Sequence, residues 1–291
     1  MYKKGILMGM IILLTACSAA NPAPTDSALP APASERITTA PAPTLPPSPT
    51  NPPEVSVQTN PVWQFNGVDG FMPSPPEAQT PECGDLGWTL PLADLSLVVG
   101  RLEPGQIRGG DYKAHGGFRM QTSEVTVVSA INGQITSVAA YLENASGSSE
   151  NGEVQYLIEI QNPCGIQIRY DHLKALGETV QKVLEDNGVK TRQDSRTTFI
   201  QPPAPIQAGD VIATAVGFTE TGANYTFDFG AYDLRERQPT KRPADELMKM
   251  GPSGILGLYG LCWYDLFGGQ TAQELRAIPV GSAEKGSDYC N

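Results

Sequence analysis

Ile166-Gln167-Ile168-Arg169-Tyr170-Asp171-His172-Leu173 decides the fold class. Apolar and polar side chains alternate along it, the period of a strand with one face against a core. Working outward, short apolar or alternating runs recur at 125–130, 134–142, 154–161, 211–216 and 225–232, between glycines and turn residues, and predict a mainly β domain. Residues 144–152, rich in Ser, Gly and Asn, read as a hairpin loop. Leu173, Leu176, Val180, Val183 and Leu184 share one helical face that Gly188 would end, so a helix is expected between Leu173 and Asn187. That helix and the polar stretch to Pro205 read as an insertion at about 173–205. Short helical signals follow at 244–250 and 271–277.

The start of the chain sets the compartment. Lys3 and Lys4 precede the apolar run from Ile6 to Leu14, and Leu14-Thr15-Ala16-Cys17 follows at once. A positive start, a short apolar core and small residues before a cut make residues 1–16 a secretory signal, too short to span a membrane. The tetrapeptide resembles a bacterial lipobox, which makes Cys17 the expected lipidated first residue and membrane anchor. Acyl chains contribute about 0.8 kcal/mol per buried CH₂, enough in a multiply acylated residue to hold a protein at a bilayer without crossing it. Residues 17–60 are rich in Pro, Ala, Thr and Ser and cannot bury enough apolar surface to offset their ordering entropy, so a disordered tether is expected. At about 3.1 Å per residue such a segment reaches on the order of 100 Å. The rest divides into a β domain at 61–238 and a C-terminal extension at 239–291 packed on it.

The chain carries 20 Lys and Arg against 31 Asp and Glu, a formal net charge of −11, and loses Lys3 and Lys4 with the leader. Such a surface repels nucleic acid and offers no basic stripe for it, so no nucleic-acid partner is expected. Cys83, Cys164, Cys262 and Cys290 lie far apart with no Cys-x-x-Cys pair. In an exported protein an even number predicts two disulfides, with three possible pairings, rather than a cysteine metal site.

The order of five runs carries a resemblance. His115-Gly116-Gly117-Phe118-Arg119 is followed by Thr126-Val127-Val128-Ser129-Ala130-Ile131-Asn132-Gly133 and Tyr170-Asp171-His172-Leu173. Ala208-Gly209-Asp210-Val211-Ile212-Ala213 and Tyr225-Thr226-Phe227-Asp228-Phe229 complete the series. Over about 109–233 this resembles the lysostaphin-type zinc endopeptidases, degenerate here in their metal ligands. The resemblance implies a barrel-like β-sandwich, a duplicated hybrid motif, with its site in a groove.

Matched position by position to that family, His115 keeps one metal-ligand place, Arg119 takes the place of an Asp ligand and Asp228 that of the last His ligand. His172 stands in a catalytic place, and Thr226 replaces the other catalytic histidine. A catalytic zinc wants three protein ligands and an open position. Arg119 keeps its proton and offers donors only, and Thr226 is a poor acid or base near neutral pH. Neither catalysis nor a cofactor is therefore expected. Arg119 and Asp228 are expected to pair across the former metal site, and His115, Arg119, Tyr170, His172 and Asp228 are the groove candidates. Asp171 reads as a solvated strand-end carboxylate. Tyr259, Trp263, Tyr264 and Phe267 read as packing for the C-terminal extension, with a sugar-binding platform as the alternative.

Three function classes follow. The first is a membrane-anchored, catalytically inactive module that binds peptidoglycan or a wall hydrolase, on the outer face of the cell membrane or at the outer membrane. The second is an active cell-wall metalloendopeptidase with zinc at an atypical site. The third is a structural surface lipoprotein without a groove ligand.

Overall fold

A computed structural model describes residues 60–291 except 69, 85, 87, 89–91, 144–151, 219–224, 268, 283–285 and 291. The signal peptide, Cys17, the tether as far as residue 59 and nearly all of the 144–152 loop lie outside the described residues. The described part belongs to one compact unit, Val57–Asn291.

In chain order the first strands are β1 (Val62–Phe65), β2 (Phe71–Ser74), β3 (Val98–Leu102), β4 (Gln106–Arg108), β5 (Asp111–Lys113), β6 (Gly116–Met120) and β7 (Val127–Val128). Then come β8 (Gly133–Glu143), β9 (Glu153–Gln161), β10 (Ile166–Leu176), α1 (Glu178–Asp186), β11 (Thr191–Arg192), β12 (Thr198–Ile206), β13 (Val211–Val216) and β14 (Thr226–Asp233). The helices α2 (Ala244–Lys249), α3 (Gly251–Gly257) and α4 (Gly269–Ala277) close the chain, with a 3-10 turn at Trp263–Phe267.

The architecture is mainly β. One sheet runs in the order β11-β8-β9-β10-β14-β6-β3, with β12 also on β8 and β13 pairing β10 and β7, while β1-β2 and β4-β5 form separate hairpins. The sheet is open rather than a closed barrel, with β3 at one end and β11 and β12 along β8 at the other.

The expected insertion at about 173–205 is corrected. Leu173 and Leu176 are strand, paired with Val216 and Ala213 of β13, and only Glu178–Asp186 is helical. The stretch expected to be a polar loop contains β12, antiparallel to β8. Pro202, Pro203 and Pro205 hid that strand, but β12 pairs with β8 alone, and an edge strand tolerates residues that cannot donate to a ladder.

Alternation along the central strands makes two faces with different chemistry. Ile166, Ile168 and Tyr170 of β10 and Phe227, Phe229 and Ala231 of β14 point into the main core, against Ile135 and Val138 of β8 and Ile158 and Ile160 of β9. Helix α1 adds Val180, Val183 and Leu184 to that core. Each fully buried side chain of this size contributes about 1.5–3 kcal/mol. The opposite face carries Gln167, Arg169 and Asp171 of β10 and Thr226, Asp228 and Tyr232 of β14, and it holds the site.

Two disulfides fasten the periphery. Cys83–Cys164 ties the segment before β3 to the β9–β10 turn across 81 residues, and Cys262–Cys290 closes the C-terminal segment across 28. Loops of these lengths are stabilised by about 2–4 kcal/mol each. Among the described residues no helix is long and apolar enough to cross a membrane, which says nothing of a β-barrel.

Candidate functional site

The site is built around a fork in the sheet. β10 pairs with β14 over Ile166–Asp171 and then with β13 over Leu173–Leu176, so its partner changes at His172. His172 has φ 58, the left-handed region, and the ladder with β9 shifts register between Tyr170 and Leu173. Such a conformation costs a non-glycine residue of order 1–3 kcal/mol and persists only where its surroundings hold it. The holding contacts are visible: Asp171 Oδ1 accepts the His172 N–H at 2.9 Å, and the His172 carbonyl accepts Gly217 N–H at 2.8 Å. The bulge turns the imidazole out of the strand pleat into the gap beside β14.

That gap opens as a cleft of about 480 Å³ whose lining includes Leu102, Ile107, Arg108, Lys113, Arg119, His172, Phe218, Thr226 and Asp228. Phe218 meets the His172 ring edge-on at 5.8 Å. Asp228 is the only carboxylate among the described lining residues. Its Oδ2 lies 2.8 Å from His115 Nε2 and 3.8 Å from His172 Nε2. His115, just before β6, stands behind Asp228 and is 8 % exposed. Although close to Oδ2, its Nε2 makes no hydrogen bond of good angle.

Burial works against the Asp228 charge, but His115, His172 and Arg108 more than offset it and hold the carboxyl well below the usual carboxylate range. Burial pushes the His115 ring down, against the pull of Asp228. The direction that holds near neutral pH is an ionised Asp228, with Arg108 among the charges that favour it.

Gly117 makes this contact possible. It pairs with Asp228 across β6 and β14, and a Cβ there would lie 2.4 Å from the Phe227 carbonyl oxygen and 3.0 Å from Asp228 Oδ1. Gly117→Ala is therefore expected to force β6 from β14 and to destabilise the protein by about 1–3 kcal/mol. Denaturant unfolding of the variant checks this, and an unchanged midpoint would count against the close approach.

The corrections concern Arg119, Tyr170 and Asp171. Arg119 does not pair with Asp228: it is exposed, its side chain lies along Gly281, and its cross-strand partner is Thr226. His115, on the same face of the same stretch, reaches the carboxylate first. Tyr170 is fully buried on the core face, where its Oη accepts Ala130 N–H at 2.7 Å and donates to the Val128 carbonyl at 3.2 Å. It fastens β10 to β7 and does not reach the groove. Asp171 is 6 % exposed rather than solvated. Its Oδ1 also accepts the Tyr141 hydroxyl at 2.6 Å, and its Oδ2 pairs with Arg169 at 2.8 Å. Tyr141 Oη stands 3.3 Å from His172 Nδ1, so this network braces the imidazole from behind.

Arg108, Lys113, Phe218 and Tyr141 lay outside the expected groove set. Arg108 and Lys113 come from the β4–β5 hairpin, which no motif marked; Tyr141 sits in a recognised strand run whose alternation places it on the site face. The C-terminal aromatic residues pack inward, with Trp263 and Tyr264 0 % and 1 % exposed, so neither presents a face to a sugar.

No family model matches the chain, and no curated protein is similar to it. Among solved structures it is similar to lysostaphin in solution, at 18% sequence identity and a TM-score of 0.28, over 52% of this chain and 49% of that one. The chain thus spans about half the length of that protein. What the fold and site define is a class: a mainly β, disulfide-bonded domain with a histidine–carboxylate pair in an open cleft.

Proposed function

We propose that the chain is an exported lipoprotein, anchored through Cys17 and a Pro-rich tether, whose lysostaphin-like domain binds a cell-wall component or a wall hydrolase without catalysis. The order of the five motif runs supports the family likeness. The observation that supports a loss of chemistry is that Arg119, which the motif match sets in a metal-ligand place, lines the cleft as an exposed permanent cation.

The remaining donors fit a catalytic zinc poorly. Two ligands of one tetrahedral zinc stand about 3.3 Å apart, given bonds near 2.0 Å. His172 Nε2 is 3.8 Å from Asp228 Oδ2, and among the described residues no three His, Cys, Asp or Glu side chains converge as a metal site. Thr226, opposite Arg119 in the ladder, supplies no second imidazole to move a proton.

Elemental analysis of the intact chain, purified without chelator beside a His115→Ala variant, tests the proposal. The expected result is less than about a tenth of a zinc per chain in both, together with retention on purified peptidoglycan or by a wall hydrolase. About one zinc per chain, lost in the variant, would overturn it in favour of a peptidase. Absence of zinc with no retention by either partner leaves the structural lipoprotein.

A further inference from the structure

The cleft has the opposite electrostatic character to the molecule around it. The chain is strongly acidic at −11, yet Arg108, Lys113 and Arg119 all line this opening against the single described carboxylate of Asp228. Asp228 offsets one of these charges at most, so the described lining keeps a net positive charge.

Each cation is held in a way that leaves charge for a ligand. Arg108 donates through Nη1 to the Glu103 carbonyl at 2.7 Å and through Nη2 to the His115 carbonyl at 3.0 Å. Those acceptors fix the guanidinium in place, and it has no carboxylate partner among the described residues; a guanidinium has five N–H donors, so some remain. Arg119 has no ion-pair partner among the described residues. Among the described residues Lys113 has an ion pair only with the exposed Asp111, at 3.7 Å, a contact of a kind worth little. Leu102, Ile107 and Phe218 supply apolar walls beside these charges.

Resting on the reading of this cleft as a binding groove, we infer that it is a receptor for the free carboxylate end of a short peptide. The guanidinium of Arg119 would receive the carboxylate, with Arg108 and Lys113 adding to the field, and the apolar walls would take the last side chains. Planar two-pronged donors match a carboxylate, and converging cations lined by apolar walls attract an anion more strongly than the same charges in open water.

Calorimetric titration of the intact chain in detergent with N-acetyl-alanyl-alanine, as free acid and as carboxamide, tests the inference. The acid is expected to bind at least about tenfold more tightly than the amide. Arg119→Ala should remove that preference while leaving the weak amide affinity, and Arg119→Lys should restore part of it. The preference should also weaken as salt rises. Acid and amide binding alike would sink the carboxylate subsite while leaving the groove reading intact. Inorganic phosphate displacing the peptide as well as acetate does would also overturn it, by showing an unselective anion site. If neither peptide binds, the inference fails, and retention on peptidoglycan or a hydrolase still decides the groove reading separately.

Discussion

Asp171→Ala is expected to destabilise the protein by about 3–5 kcal/mol, the range for removing one partner of a buried ion pair. Asp171 is 6 % exposed and accepts from three donors: the Tyr141 hydroxyl, Arg169 and the His172 N–H. Without it Arg169 keeps, among the described residues, only the carboxylate of Glu159, at 3.6 Å. The bulge at His172 loses its internal acceptor as well. Guanidinium unfolding checks the size of the loss. Adding Arg169→Met should recover part of it, because the cation stranded by the first change is then gone. A loss under about 1 kcal/mol would mean that water replaces the carboxylate, and the proposed brace behind His172 would fall.

The same carboxyl gives the protein an acid limit. Burial raises the pKa of Asp171, but Arg169, His172 and the Tyr141 hydroxyl more than offset this and hold it below 3.8. A folded pKa below the unfolded one means that the stabilisation is complete above the unfolded value, about 3.9, and drains as pH falls through the folded value. The deficit of Asp171→Ala should therefore be full near about pH 6 and shrink toward about pH 2.5. A deficit that stayed constant over that window would assign the loss to packing alone.

How much of this was legible in the sequence depends on whether a neighbour in the chain or a neighbour in space made each decision. The strands at 133–143, 153–161 and 211–216 follow from local alternation, because each presents one face to the core. Leu173 and Leu176 match a helical stripe as well as a strand end, and pairing with β13 settled the matter against the helix. His172 carries no local sign of its positive φ; the bulge comes from two strands competing for one edge of β10. Asp171 looks solvated until Tyr141, thirty residues earlier, is folded over it. The motif order located His115, His172 and Asp228 in one region, but the partner of Asp228 depended on which side chain was nearer. The basic lining could not be seen from the motifs, since Arg108 and Lys113 reach the cleft from a separate hairpin.

Trp263→Ala is expected to cost about 3–5 kcal/mol and to loosen the cleft from behind. Trp263 has no exposed surface, and its ring centre lies 4.1 Å from that of Tyr264, 5.2 Å from Phe118 and 5.4 Å from Phe229. Phe118 is on β6 and Phe229 on β14, the two strands that carry Arg119 and Asp228. A cavity at Trp263 therefore removes support from both strands on their core side, beside the Cys262–Cys290 bridge. Trp263→Phe is expected to behave differently. The indole Nε1 is buried with no hydrogen-bond partner among the described residues. An unsatisfied donor of this kind costs about 1–3 kcal/mol, so removing it should offset much of the lost ring area and keep the change under about 1.5 kcal/mol. Unfolding both variants in guanidinium separates the two contributions. Equal losses would show that the donor is satisfied in solution and that the indole with its N–H, rather than ring volume, holds the C-terminal segment against the sheet; a small loss for phenylalanine would show that the site needs an aromatic ring there but not an indole.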